Sequence, residues 1–273
     1  MAILRHYSSS IEQASIDEAY FQLQFPIFNF QFPNVIWNEA GNIARTIKEE
    51  IKMEEKLTCS IGIGSNKLIA KIASDFKKPD GLTIVTDEEK ESFLEPMPIR
   101  KIPGIGPKTE IRFRTMGILT VRDLKQLSEP ELTDFLGKWG KDLYQKARGI
   151  DDSPLEPFSE PKSIGEQETF LEDTLDSARI ISTLTEMARR VIQRMGTEGF
   201  SGYRTIGIIV RFSGFETKTR SHTLPTPSKS TETLKFEALK LLMPFLDRRE
   251  NPRNKKIRLV GLRIEKLTSL RTA

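Results

Sequence analysis

The chain has 273 residues, of which 37% are hydrophobic and 29% charged, so it is long enough for two or three domains with separate cores. This composition excludes a disordered tail, and no apolar run reaches the roughly 18 to 20 residues that a membrane span requires. Cys59 is the only cysteine and the first residues lack a secretory signal, so we expect a cytoplasmic protein with no internal disulfide and no membrane partner.

The charged residues are unevenly distributed along the chain. Residues 1–95 hold 10 basic and 15 acidic side chains, residues 96–157 hold 11 and 9, and residues 158–273 hold 21 and 14. The net charge of +4 therefore combines an acidic front with a basic rear. This asymmetry favours a cationic ligand such as metal ions at the front and a polyanion at the rear, with chance as the alternative.

The first segment, residues 1–95, is predicted to form a sheet covered by helices. Strand patterns cover residues 14–23 and 58–64, and helical spacing covers residues 39–55 and 66 to about 76. This β-α-β-α order predicts a sheet with helices on at least one face. Prolines near residues 96–98 and 154–161 mark the ends of a middle segment.

The two later segments have different patterns. Residues 96–157 are predicted to be short helices broken at Gly104, Gly106, Gly117, Gly137 and Gly140. The last segment is predicted to be β-α-β-β-α-β, with strands over 162–171, 203–212, 216–224 and 256–266 and helices over 176–199 and 231–246. The first of these helices has a predicted buried stripe of Ile180, Leu184, Met187, Val191 and Met195.

The run from Ile102 to Lys108 resembles a helix-hairpin-helix. Gly104 and Gly106, on either side of Ile105, allow a tight turn and a close approach to a ligand, and Lys108 adds positive charge. Amide groups at the start of the following helix can then point at a phosphate oxygen. A purely structural turn is the alternative, but the basic helix that follows favours DNA backbone binding.

A carboxylate pair and a lysine row suggest phosphate chemistry. Asp17 and Glu18 are adjacent on a predicted strand, and both reach one site only where that strand starts or bends. Carboxylates are preferred Mg²⁺ ligands. Lys67, Lys71 and Lys78 fall within about 40° on a helical projection, as a bound triphosphate would require. A solvated turn and a solvated helix face are the alternatives.

In this order, the motifs resemble those of the Y-family DNA polymerases of the DinB or DNA polymerase IV type, which are translesion enzymes. The matching runs are YSSSIEQASIDEAYFQL (7–23), CSIGIGSNKLIAKIASDFKKPDGLTIV (59–85), KIPGIGPKTEIRFRTMGILTVRDL (101–124), LGKWGKDLYQKARGID (136–151) and KSIGEQETF (162–170). The resemblance implies an α+β multidomain fold: a partial palm over 1–95, an all-α helix-hairpin-helix thumb over 96–157, a linker over 158–163 and a β-α-β-β-α-β little finger over 164–273.

The resemblance also implies roles for individual residues. Asp17 and Glu18 match the catalytic metal ligands, with Mg²⁺ as the cofactor, and Lys78 matches the lysine that meets the incoming dNTP. The hairpin at Gly104–Gly106 matches the element that grips the duplex. Further DNA contacts are expected at Lys67, Lys71, Lys108, Arg220, Arg258 and Arg263. Glu166 departs from the family, where a basic residue is common at this position.

Larger departures lie at the two ends of the chain. The family's palm begins with a strand that carries another metal-binding aspartate, followed by fingers and an aromatic gate, whereas Glu12 is the only acidic residue before Asp17. We therefore expect an N-terminally shortened polymerase. The last residues lack the hydrophobic-aromatic tail with which family members bind the sliding clamp, so this partner is not expected.

Three functions follow from these features. The first is a translesion DNA polymerase that extends a primer on its template from dNTPs without proofreading. The second is a non-catalytic module that binds primer-template DNA. The third, a helix-hairpin-helix repair nuclease or glycosylase, has less support because no catalytic Lys or Asp follows the hairpin.

Overall fold

The computed structural model describes residues 1–25, 33–158, 160–247 and 249–269. The chain divides into two compact units, Met1–Ser159 and Glu160–Ala273, and the division falls within the segment predicted as a linker. Within the described ranges, every helix is too short or too polar to span a bilayer.

The first part of unit 1 contains two small sheets and three helices. The helices are α1 (Ala2–Tyr7), α2 (Pro33–Glu54) and α3 (Lys67–Phe76), and the strands are β1 (Ile11–Gln13), β2 (Ala19–Phe21), β3 (Ile61–Ile63) and β4 (Leu82–Ile84). β1 pairs antiparallel with β2, and β3 pairs parallel with β4. The single strand predicted over 14–23 was wrong: the amides of Ala14 and Ser15 both donate to the carbonyl of Glu18 and close a hairpin turn.

Helix α3 lies directly on β3. Its N-cap residue Asn66 accepts a hydrogen bond from the amide of Ile69, which satisfies a donor in the first turn. The helical spacing predicts a buried side made of Leu68, Ile69, Ile72 and Phe76. The first three are buried, whereas Phe76 is 55% exposed, so its predicted burial was wrong. Phe76 is the last residue of the helix, and its ring contacts only the edge of Phe93, 5.1 Å between centroids, among the described aromatic rings.

The second part of unit 1 is helical, as predicted. Its elements are α4 (Lys90–Leu94), a 3₁₀ turn (Ile99–Lys101), α5 (Pro107–Thr115), α6 (Val121–Lys125), α7 (Glu129–Leu136) and α8 (Lys138–Ala147). The break predicted at Gly140 was wrong, because this glycine lies inside α8. A Cβ atom there would lie 2.1 Å from the carbonyl oxygen of Leu132, so the glycine allows α7 and α8 to approach closely.

Unit 2 has the predicted β-α-β-β-α-β order. Its elements are β5 (Ser163–Thr174), α9 (Ser177–Thr197), β6 (Phe200–Phe212), β7 (Thr217–Ser228), α10 (Thr231–Leu246), β8 (Ile257–Glu265) and β9 (Thr268–Ser269). The antiparallel sheet has the order β5-β8-β6-β7, and β9 pairs with β6. The methionine-bearing stripe of α9 is at most 3% exposed, which confirms the prediction that it belongs to the core.

The two faces of the sheet in unit 2 differ in character. Alternate residues of the central strand β6, such as Ile206 and Ile208, point into the core shared with α9 and α10. The opposite side, which we call the open face, has a row of Gly165, Arg263, Gly207 and Ser221 across the four strands. Three of the four side chains in this row are therefore small or absent.

Candidate active site and DNA-binding surfaces

The turn between β1 and β2 places Asp17 and Glu18 at the same end of the hairpin. The hydroxyl of Ser15 donates to Oδ1 of Asp17 at 2.6 Å, and the amide of Asp17 donates back to that hydroxyl at 3.3 Å. The Ser15 hydrogen bond lowers the pKa of Asp17, and attraction to Lys78 and Lys71 lowers it further. Asp17 is therefore an exposed carboxylate that stays ionised at neutral pH.

A chain of alternating charges leads away from this turn. Lys71 contacts Glu18 at 2.5 Å and Asp75 at 3.3 Å, and Lys78 contacts Asp75 at 2.5 Å. Burial opposes the charge on Lys71, but its hydrogen bonds to Glu18 and Asp75 raise its pKa overall. Lys78 is half exposed and lies beyond the end of α3, so solvent reaches its ammonium group beside Asp75.

Lys67 faces a different set of partners from Lys71. Its ammonium group contacts Oε2 of Glu12 and the carbonyl of Pro154, each at 2.9 Å, and lies 5.7 Å from the ring centroid of Tyr20. Burial opposes the charge on Glu12, but the amide of Glu156 and Lys67 lower its pKa overall. The predicted DNA-phosphate contact of Lys67 stays a prediction, and in this structure the group is occupied by protein oxygens.

Lys48 of α2 holds the loop that contains Lys78, although no sequence motif points to this lysine. Its ammonium group donates to the carbonyls of Cys59 at 2.5 Å and Asp80 at 3.0 Å, and it pairs with the carboxylate of Asp80. The pairing with Lys48 lowers the pKa of Asp80. In a sequence, a lysine of an amphipathic helix is indistinguishable from a solvent-exposed lysine. The partners of Lys48 are 11 and 32 residues away, so they could not be predicted from the helix pattern.

The donor set at the hairpin turn fits Mg²⁺ bound together with a substrate. Within the described residues, no three His, Cys, Asp or Glu side chains converge into a group that could enclose a metal ion. Asp17 and Glu18 supply hard oxygen ligands, and Mg²⁺ is commonly held by one or two carboxylates plus substrate phosphates and water.

The glycine hairpin in the helical part exposes backbone rather than side chains. Gly104 has φ +101°, whereas Gly106 has an ordinary φ of −86° and is the N-cap of α5. At Gly106 a Cβ atom would meet no heavy atom within 4 Å, so neither conformation nor packing requires glycine there. Ile105 is 6% exposed and belongs to the core, so only its backbone can face a ligand, while Lys108 is exposed.

The three predicted DNA-binding arginines lie in different surroundings. Arg263 is on the open face, between Gly165 and Gly207 of the neighbouring strands. Arg220 pairs with the core residue Ile208 across the strands, so it lies on the helix side, where Glu250 holds its guanidinium at 2.7 Å.

Arg258 and Glu166 both have partners within unit 2. Arg258 lies 3.5 Å from Asp173, with its guanidinium 4.8 Å from the ring centroid of Phe215. Glu166, the departure from the family pattern, accepts a hydrogen bond from Arg190 of α9 at 2.8 Å. This acidic residue therefore joins β5 to α9.

The chain matches three family models. They are the impB/mucB/samB family over residues 1–75, the thumb domain of DNA polymerase-iota over residues 100–151, and the impB/mucB/samB family C-terminal domain over residues 161–272. Together they cover most of both units.

Relatives and solved structures of the same kind match almost the whole chain. DNA polymerase IV of Methanoculleus marisnigri is 41% identical over 98% of this chain and 70% of its own length, and that of Clostridium perfringens is 37% identical over 98% and 71%. A Y-family DNA polymerase chimera, Dbh-Dpo4(243-245)-Dbh, matches with a TM-score of 0.80 and 27% identity over 98% of this chain and 74% of its own. An insertion ternary complex of Dbh DNA polymerase matches with a TM-score of 0.57 and 26% identity over 98% and 74%. With these relatives and this architecture, the chain belongs to the Y-family DNA polymerases of the DNA polymerase IV (DinB) type.

Proposed function

We propose that this chain is a translesion DNA polymerase that extends a primer on its template from dNTPs, without proofreading. The observation that carries the proposal is the exposed Asp17–Glu18 turn beside Lys71 and Lys78 in a chain of this family. In the reaction the primer 3′-oxygen attacks the α-phosphorus of the dNTP, and the bond to pyrophosphate breaks. The same proposal places the protein in the cytoplasm with DNA as its partner.

The residues of the turn and of α3 have separable roles in this proposal. Asp17 and Glu18 would hold Mg²⁺, which when bound neutralises charge on the reacting phosphates. Lys78 binds the triphosphate and stabilises the leaving pyrophosphate, because its ammonium group is half exposed and Asp75 is its one acidic partner among the described ion pairs. Lys71 keeps Glu18 oriented until phosphate oxygens compete with Glu18 for the Lys71 ammonium group.

The domain assignment is part of the proposal. We assign residues 1–95 to a partial palm, 96–157 to a thumb, 158–163 to a linker and 164–273 to a little finger. The core of unit 1 runs without a break from α3 into the helices up to α8, so the boundary after residue 95 rests on the family resemblance. The division after Ser159 supports the other boundary.

A primer-extension assay tests the proposed activity against the non-catalytic alternative. The alternative is favoured by the absence, within the described residues, of a third acidic ligand near Asp17 and Glu18. We expect template-directed incorporation of single nucleotides with Mg²⁺ and none with a chelator, while binding to primer-template DNA persists in both. Salt-sensitive DNA binding without incorporation at any Mg²⁺ concentration would establish the binding module instead.

The Gly104 and Gly106 pair separates DNA binding from folding in the hairpin. We expect Gly106→Ala to weaken DNA binding about tenfold, because a methyl group would displace a phosphate from the amides of α5, and a charge-assisted hydrogen bond contributes roughly 1.5 kcal/mol or more. Its cost to stability should stay below about 1 kcal/mol. Gly104→Ala should instead destabilise the hairpin, because its φ of +101° strains any L side chain. DNA affinity by fluorescence anisotropy and thermal unfolding of each variant check this, and undiminished affinity of Gly106→Ala would contradict it.

Arg263 and Arg220 form a matched pair for the surface of unit 2. We expect Arg263→Ala to reduce the slope of log K against log salt concentration by about one unit, as for the loss of one phosphate contact. Among the described ion pairs, each guanidinium has one acidic partner, Glu265 for Arg263 at 2.6 Å and Glu250 for Arg220 at 2.7 Å. Arg220→Ala should reduce the slope less, because Arg220 lies on the helix side of the sheet and not on the open face. Binding titrations over a range of salt concentrations check both variants. Equal reductions would show that the two arginines contact phosphate alike.

A further inference from the structure

Lys67, the first residue of α3, is enclosed by three separate parts of unit 1. Glu12 is on β1, Tyr20 is opposite it on β2, and Pro154 follows the last helix of the unit. The Lys67 and Glu12 side chains are only 21% and 18% exposed. Of the three donors on the ammonium group, two are directed at Glu12 and Pro154.

The segment over residues 149–156, which we call the strap, contacts both β1 and the start of α3. The amide of Glu156 donates to Oε2 of Glu12 at 2.9 Å, the oxygen that also accepts from Lys67. At the start of α3, the carboxylate of Asp151 accepts from the amide of Leu68 at 3.0 Å. The side-chain amide of Asn66 donates to the carbonyl of Gly149 at 2.8 Å. The strap therefore joins β1 to the N-terminus of α3.

These contacts determine how the β1–β2 hairpin, which carries Asp17 and Glu18 and which we call the carboxylate hairpin, is held. Among the described residues, β1 and β2 pair only with each other, and a two-stranded hairpin is marginally stable by itself. Helix α3 contacts it through Lys67, which pairs with Glu12 on one strand and lies over the Tyr20 ring on the other. It also contacts the hairpin through Lys71, which pairs with Glu18 beside the second strand. Lys67 and Lys71 lie one helical turn apart, so a single face of α3 holds both strands.

We propose that Lys67 is a positioning residue, which fixes the carboxylate hairpin against α3 and the strap and makes no contact with DNA phosphates. This inference rests on the proposed function insofar as the hairpin holds the metal ligands. Moving the ammonium group to a phosphate would leave the carboxylate of Glu12 largely buried beside Pro154 and without its cation. Lys78 has no such constraint, because it is half exposed.

Hydrogen exchange of the hairpin amides tests the proposal without requiring polymerase activity. The amides of Ala14 and Ser15, which donate to Glu18, should exchange about tenfold faster in Lys67→Met and in Glu12→Gln, as if about 1.4 kcal/mol of local stability were lost. Lys52→Met, on the exposed side of α2, is the matched control and should leave this exchange unchanged. Lys67→Arg keeps the positive charge beside Glu12 and should retain most of the protection of the wild type. This variant and Glu12→Gln test the proposal if Lys67→Met does not fold.

DNA binding and kinetics complete the test. We expect Lys67→Met to leave the salt dependence of DNA binding unchanged and, where incorporation is measurable, to lower kcat while KM for dNTP stays constant. Exchange at the wild-type rate overturns the proposal, and so does a salt slope reduced by about one unit. A wild-type chain without incorporation contradicts the polymerase assignment alone, because the exchange measurement still decides the role of Lys67.

Discussion

Replacing Asp17 with asparagine is expected to reduce the rate of nucleotide incorporation about 10³-fold, because a metal ligand contributes several kcal/mol and each 1.36 kcal/mol changes a rate about tenfold. The fold should be unaffected. Asp17 is exposed, and its carboxylate accepts a hydrogen bond from the Ser15 hydroxyl that the asparagine oxygen can also accept. Affinity for primer-template DNA should stay within about twofold, because the change removes no cationic phosphate contact.

Single-turnover primer extension and anisotropy titrations measure the two quantities separately. Asp134→Asn is the matched control, because it changes an exposed carboxylate on α7, remote in sequence from the turn, and should leave the rate unchanged. Glu18→Gln is less informative, since Glu18 also holds Lys71 and its loss would loosen the hairpin. An unchanged incorporation rate in Asp17→Asn would remove the turn from the catalytic site.

The architecture of unit 2 could be predicted because its patterns are long and uninterrupted. Helix α10 begins and ends at the predicted residues, and α9 has a methionine-bearing stripe with a clear helical period. The strand β9 was not predicted, because it has two residues and a pattern of alternation cannot be recognised over so short a segment.

The hairpin turn shows where such patterns fail. The sequence from Ala14 to Glu18 contains no glycine or proline, so its pattern predicts one continuous strand. The turn is closed instead by hydrogen bonds. The Ser15 hydroxyl donates to Asp17, and the amides of Ala14 and Ser15 both donate to the carbonyl of Glu18. Ile16 at the tip of the turn is 98% exposed, and the alternation of a strand does not predict this exposure.

The candidate site was predicted as a set of residues but not as a set of contacts. Helical spacing placed Lys67 and Lys71 on one side of α3, and that side does face the carboxylate hairpin. Their distinct partners could not be predicted, because Glu12 lies 55 residues from Lys67 and Pro154 lies 87 residues from it. Ion pairs between elements so distant depend on tertiary packing, which periodicity does not report.

Gly62→Ala is expected to destabilise unit 1 by about 3 kcal/mol or more, at the upper end of the range for overpacked cores. Gly62 is the central residue of β3, and a Cβ atom there would lie 2.1 Å from the carbonyl oxygen of Ala70 and 2.2 Å from the amide nitrogen of Ser74. Both are backbone atoms of α3, so no side chain can rotate away. The helix that carries Lys67 and Lys71 would have to move off the strand, and the contacts to the carboxylate hairpin would be lost with it.

Tryptophan fluorescence during urea unfolding measures this loss in unit 1 alone, because the chain's two tryptophans, Trp37 and Trp139, both belong to that unit. Gly106→Ala is the matched control, because it makes the same chemical change in the same unit. A Cβ atom at this position would meet no heavy atom within 4 Å. The midpoint of Gly106→Ala should remain near that of the wild type, whereas that of Gly62→Ala should fall steeply. Equal midpoints for the two variants would mean that α3 can shift away from β3 at little cost, and the positions of its lysines would then not depend on this strand.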